Sequence, residues 1–139
     1  TTYEKKAGWK KNDYSTLKNY EKILNNILQM EENDAPLNNI KKYELIKGDA
    51  SNTVKTYMNK NPQTVIALVI FDMDVYKPTK KVLRYLKKRV FKGSVIVFDE
   101  LNHPDFPGET IAVLEEMGLN NLKLKSFHGQ TFASYAIIE

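Results

Sequence analysis

Apolar residues recur along this chain in two rhythms, and their alternation outlines the elements. From residue 16 to about 32, Leu17, Tyr20, Leu24, Ile27 and Leu28 repeat at helical spacing, with Ser15 as N-cap and Asn33, Asp34 and Pro36 as the stop. The polar stretch before it, residues 1–13, shows no period and reads as loop with Trp9 as an anchor. Tyr43, Leu45 and Ile46 give residues 42–47 the look of a short strand, Gly48 and Asp49 turn the chain, and a helix follows over residues 51–59. The apolar, β-branched run at 64–71 reads as a central strand covered on both faces. A lysine-rich helix is expected over 78–90, then a turn at Lys92-Gly93 and a second buried strand at 94–98, so that strand, helix and strand form a parallel crossover. Pro107 suits the first turn of a helix reaching Met117, and Gly118 ends it. Strands at 122–127 and 134–138 close the chain as a hairpin with a long loop.

Composition narrows the class. A chain of 139 residues predicts one domain spanning 1–139, with a polar loop and helix over 1–41 and the remaining core over 42–139. Its 42% hydrophobic and 27% charged residues are ordinary for a soluble protein, and no segment approaches the roughly 18 unbroken apolar residues of a membrane span. The absence of cysteine excludes disulfides, thiolate catalysis and sulfur-held zinc, and without an apolar leader a cytoplasmic location is expected. The net charge of +4 is concentrated in residues 77–92, which hold eight Lys or Arg residues. On a helix, Val82, Leu83, Leu86 and Val90 form one apolar stripe while the cations point away. The block therefore reads as a solvated face and predicts no nucleic-acid partner.

The candidate chemistry lies in carboxylates. Asp72 and Asp74 follow one buried strand, and Asp99 and Glu100 follow the other. Ligands of open α/β sheets bind beyond the carboxyl ends of the strands, so adjacent parallel strands bring both clusters to one crevice. Converging carboxylates raise one another's pKa unless a cation neutralises them, and hard oxygen donors suit Mg²⁺, Mn²⁺ or Ca²⁺. Taken singly, each is as well explained as a cap or turn residue. Gly48-Asp49-Ala50 is a weaker candidate for contacting a nucleoside, since Gly-Asp is also a routine turn. His103 and His128 read as surface residues, although His103 lies close to the crevice. No G-x-S-x-G, P-loop or G-x-G-x-x-G is present.

The segments ELIKGDASNT, ALVIFDMDVYKPTKKVL, KGSVIVFDELNHPDFPGETIAV and SYAII together resemble the macrocin O-methyltransferase-like family of class I methyltransferases, over about residues 43–138. The resemblance implies an α/β fold with an incomplete Rossmann-like sheet, in which parallel central strands adjoin a C-terminal antiparallel hairpin and helices cover both faces. It implies S-adenosylmethionine as methyl donor, with Gly48, Asp49, Ala50 and Asp72 on the cofactor side and Asp49 near the adenosine. It further implies Mg²⁺ on Asp72, Asp99 and Glu100, Asp74 as general base, and a small-molecule hydroxyl, such as a sugar's, as acceptor. Family members commonly have Asp-Asp where this chain has Asp99-Glu100. The family's glycine-rich first unit and second strand have no counterpart here, so the chain corresponds to the C-terminal part of the fold. Weak cofactor binding, an inactive fragment and self-association through an exposed sheet edge are expected.

The stretch IALVIFDMDVYKPT is also similar to the haloacid-dehalogenase phosphatase signature, which would make Asp72 a nucleophile and Asp74 an acid/base beside Mg²⁺. That motif normally opens its fold, whereas here three elements precede it. A D-x-D glycosyltransferase fits less well, and a non-catalytic binding or assembly module remains open.

Overall fold

The computed structural model describes residues 17–139, so Ser15 and Trp9 lie outside the described residues. These form two compact units, 17–47 and Gly48–Glu139.

The first unit contains helix α1 (Tyr20–Asp34), entered through Asn19 in a left-handed conformation. Residues 42–47, expected as a strand, form none. Instead this segment is tied to α1: Glu32 accepts from the Lys42 backbone N–H at 2.5 Å and from Lys41 Nζ at 3.2 Å, and the Tyr43 hydroxyl meets Asn25 Oδ1 at 3.2 Å. An extended segment needs a ladder partner for its backbone groups, and side chains of α1 take part of that role here.

The second unit holds a four-stranded sheet in the order β1-β2-β4-β3. Asp49 caps α2 (Ala50–Lys60). β1 (Ile66–Phe71) leads through α3 (Tyr76–Leu86) to β2 (Val90–Phe98), which pairs with it in parallel. α4 (Gly108–Glu116) then leads to the antiparallel pair β3 (Leu124–Ser126) and β4 (Ser134–Ile137), with β4 also antiparallel to β2. The expected crossover and terminal hairpin are both present. The boundary between α3 and β2 differs, because Val90 belongs to the strand rather than to the helical stripe. Gly93 is not a turn but part of β2, at φ 93°. The buried Ser94 hydroxyl beside it donates to the Ile66 carbonyl at 2.7 Å and accepts from the Phe91 N–H at 2.9 Å, which satisfies the backbone where the β1–β2 register shifts.

Met58 of α2, Val82, Leu83 and Leu86 of α3, and Ala112 and Val113 of α4 pack with Phe71, Ile96 and Phe98 of the sheet into one core. The Phe71 and Phe98 rings stack at 5.5 Å. The other face of the sheet is open along β1, where Leu68 is 58% and Ile70 is 62% exposed. The expectation of a central strand for this segment is therefore corrected: among the described residues β3 lies at one edge of the sheet and β1 at the other. Its apolar residues on both faces suit a doubly covered strand, but among the described residues of this unit helices pack on one face only.

Candidate active site at the carboxyl ends of the parallel strands

Register places the acidic residues. Phe71 lies opposite Phe98 at the end of the parallel ladder, and the Asp99 N–H donates to the Phe71 carbonyl at 3.2 Å, so Asp72 and Asp99 leave the sheet side by side. The chain then turns sharply. Asp74 adopts a left-handed conformation at φ 55°, and the Val75 N–H donates to the Met73 carbonyl at 2.6 Å. Aspartate is among the few side chains that tolerate this region.

The sheet brings Asp72, Asp74, Asp99 and Glu100 within electrostatic range. Burial pushes the Asp74 carboxyl above its ordinary value, Asp72 and Asp99 push it further, and His103 opposes them. Glu100 is also raised, first by burial, then by Asp74, Asp99 and Asp72, with His103 acting in the opposite direction. Glu100 Oε2 is buried and accepts no hydrogen bond. The His103 Nε2 stands 3.5 Å from it, at the outer limit of an interaction.

His103 was expected near this crevice as a surface residue and is largely buried there, while Glu109 was not evident from the sequence. The His103 ring makes tilted contacts with Phe106 and Phe132, at 5.0 and 4.1 Å between ring centroids, and its Nδ1 accepts the Asp105 backbone N–H at 3.1 Å. That bond leaves the proton of the neutral ring on Nε2, facing Glu100. Glu109 is fully buried in the first turn of α4. Its Oε2 accepts the Glu100 backbone N–H at 2.8 Å, while its Oε1 is buried without a partner. Burial raises its pKa to about 8, aided by the charges of Asp74, Asp99 and Glu100 and opposed by that hydrogen bond. An acidic residue at a helix start reads as a solvated partner of the helix dipole, and no sequence signal marks this one as buried.

Asp49 has a different environment. Its Oδ1 accepts the Ser51 N–H at 2.8 Å and the Ser51 hydroxyl at 2.5 Å, and these bonds, with the charge of Lys81, hold its carboxyl below the ordinary range. Gly48 at φ 142° makes the turn before it, and Ala50 begins α2. Two of the cations of α3 are engaged with α4, Lys80 with Glu115 and Arg84 with Glu116 at 2.6 Å, and Lys87, just past the helix, reaches Glu116 at 3.4 Å.

A cavity of about 300 Å³ opens beside the carboxylates, lined by Asp99, Glu100, Gln130, Thr131, Phe132 and Ala133. The loop between β3 and β4 thus faces the acidic turn after β2. The oxygen donors and the orphaned Glu100 Oε2 have the chemistry of a hard divalent-cation site. As they stand, no three His, Asp or Glu groups among the described residues surround a single point, so closure on an ion requires side-chain rotation.

No family model and no curated protein matches the chain. Among solved structures, the calicheamicin methyltransferase CalS11 superposes with a TM-score of 0.84 at 36% identity, covering 89% of this chain and 49% of its own. A second structure of CalS11, described as a TDP-rhamnose 3'-O-methyltransferase of calicheamicin biosynthesis, gives 0.82 at 36% identity, with 88% and 53% covered. The chain has an O-methyltransferase-like class I fold. The O-methyltransferase NovP shares that fold at a TM-score of 0.57 and 19% identity, over 71% of this chain and 38% of NovP. The chain spans about half the length of the CalS11 structures. Among its described residues, no helix is long and apolar enough to cross a membrane.

Proposed function

We propose that this chain contributes the acceptor-activating side of a cytoplasmic, S-adenosylmethionine-dependent O-methyltransferase acting on a sugar hydroxyl. The observation behind this reading is the convergence of Asp72, Asp74, Asp99 and Glu100 at the ends of two parallel strands, in a fold that matches CalS11 at 36% identity. Asp72, Asp99 and Glu100 would hold Mg²⁺, whose chemistry there is to neutralise the carboxylates and lower the pKa of an acceptor hydroxyl. The cavity beside Glu100 receives the acceptor, and Gln130 and Thr131 supply it with polar contacts. Asp74 takes the hydroxyl proton. S-adenosylmethionine, when bound, would supply the methyl group, its sulfur–methyl bond breaking as the freed oxygen bonds to the carbon and S-adenosylhomocysteine leaves. Burial, the largest cause of the raised Asp74 pKa, suits a base that must hold that proton. Gly48, Asp49 and Ala50 are proposed to lie toward the adenosine, with Asp72 also on the cofactor side. Asp49 is the weakest of these, because its carboxylate is already committed to capping α2. The likeness to CalS11 favours this reading over a phosphatase, a glycosyltransferase or a non-catalytic module.

The test is calorimetric titration of S-adenosylhomocysteine, with and without Mg²⁺, into this chain and into the chain joined behind the remaining half of a sugar O-methyltransferase. Binding by the joined protein, with weak binding by the chain alone, is the expected result. Absence of binding by both, with Mg²⁺ binding retained, sinks the methyltransferase reading and favours the phosphatase.

The open β1 edge is proposed to pair the chain with a second copy, whose strand would take up the unpaired backbone groups along that edge. Sedimentation should then show concentration-dependent dimers that Ile70→Lys reduces several-fold. Equal association by the variant would place the contact elsewhere.

A further inference from the structure

Glu109 stands where a carboxyl is hard to account for by stability alone. It is 0% exposed, one of its oxygens is unpartnered, and it lies among Asp74, Asp99 and Glu100 rather than beside a cation. A well-packed apolar residue of similar size would avoid the cost of burying that oxygen. Its position follows from Gly108. A Cβ there would come within 2.5 Å of the Tyr76 backbone nitrogen, so glycine lets the start of α4 press against the start of α3. That approach sets Glu109 between the two acid-bearing loops, one after β1 and the other after β2. Glu109 Oε2 holds the Glu100 N–H at 2.8 Å, and the neighbouring Thr110 hydroxyl holds the Asn102 N–H at 2.7 Å. Asn102 is itself left-handed at φ 66°, and Leu101 between the two tethered amides is buried. Two consecutive side chains of α4 therefore fix two backbone amides of the loop that presents Asp99 and Glu100.

We infer that Glu109, with Thr110 beside it, is a positioning residue that sets the backbone of loop 99–102 and thereby aims the Glu100 carboxylate at a divalent cation. The inference rests on the metal reading above and deepens it. A purely structural Glu109 would be replaced by leucine with no effect on ion binding. A positioning Glu109 separates the two properties: the fold is kept or strengthened while the ion is held less well. Glutamine retains an acceptor oxygen for the Glu100 N–H and should restore the function.

The experiment compares wild type, Glu109→Leu and Glu109→Gln, using Mn²⁺ alone as the probe. Mn²⁺ affinity is measured by calorimetry, protection of the Glu100 amide by hydrogen exchange, and folding by urea denaturation at one pH. Glu109→Leu should bind Mn²⁺ about tenfold more weakly, within the range expected when a supporting partner of a ligand is removed. It should also lose Glu100 amide protection without a lower denaturation midpoint. Glu109→Gln should stay within about threefold of wild type, the residual expected when the acceptor is kept. Unchanged Mn²⁺ affinity and amide protection in Glu109→Leu overturn the inference while leaving the metal reading intact. Failure of Glu109→Leu to fold overturns it as well, because the carboxyl would then be a structural requirement. A wild type that binds no Mn²⁺ removes the metal reading and the inference together.

Discussion

Replacing Asp74 by asparagine is expected to lower kcat for methyl transfer by about 10²–10⁴-fold, the usual contribution of a positioned general base. This corresponds to about 3–5 kcal/mol of transition-state stabilisation. Asparagine is the informative substitution because position 74 is left-handed, at φ 55°. Asparagine shares aspartate's tolerance of that region, whereas alanine would add backbone strain of about 1–2 kcal/mol and confuse the loss of a base with a distorted turn. The substitution also removes one negative charge from a crowded group. The ordinary-value shift of Glu100, raised partly by Asp74, should shrink accordingly. Mg²⁺ affinity should fall little, since Asp74 is not one of the proposed ligands. The measurement is single-turnover transfer to a nucleotide-linked sugar by the chain joined to a cofactor-binding half, with Mg²⁺ affinity determined in parallel. A kcat within threefold of wild type, with the ion still bound, would remove Asp74 from the reaction. Loss of ion binding in step with activity would instead make it a ligand.

The carboxylate cluster was legible in the sequence because strand ends are legible. Long apolar runs at 64–71 and 94–98 announced two buried strands, and a crossover makes them parallel, so residues immediately following them share an edge. Whatever depended on packing across the chain was not. Residues 42–47 carry the apolar content of a strand, but an extended segment is a strand only beside a partner, and here Glu32 takes the Lys42 N–H. The run at 64–71 predicts coverage on both faces; its residue types cannot say that one face stays open. The lysine-rich helix was placed correctly in outline, and its overrun to Val90 arose because a valine after a helical stripe serves a strand equally well. Glu109 escaped, and His103 was expected near the crevice only as a surface residue, for a related reason. Their roles come from the approach of α4 to α3 through Gly108 and from the placement of Phe132 on a distant hairpin loop, neither of which leaves a local pattern.

Glu109 also predicts an unusual dependence of stability on pH. Its folded pKa of about 8 lies above its ordinary value of 4.5, so the folded state holds the proton more tightly than the unfolded state. Below about pH 4.5 both states are protonated and the group imposes no penalty. Between about 4.5 and 8 the unfolded chain has released the proton while the folded chain keeps it. The unfolded state then binds fewer protons, and stability falls as pH rises, by up to about 1.4 kcal/mol per pH unit. Above about 8 both are ionised and the slope vanishes. Asp74 and Glu100 are raised as well and act in the same direction at the acidic end of this window. Asp49 is lowered, so its contribution is present above its unfolded pKa and is lost only as pH falls through the lower folded value. Urea denaturation at intervals from about pH 5.5 to 8 should therefore show wild type weakening steadily, and Glu109→Gln, which cannot ionise, should show a much flatter profile. The difference between the two at pH 8 should exceed that at pH 5.5 by a few kcal/mol, the order set by one proton over this span. Parallel profiles would mean that Glu109 is ionised in the folded state at neutral pH. The buried Oε1 would then carry charge, and a cation or ordered water would have to stand against it.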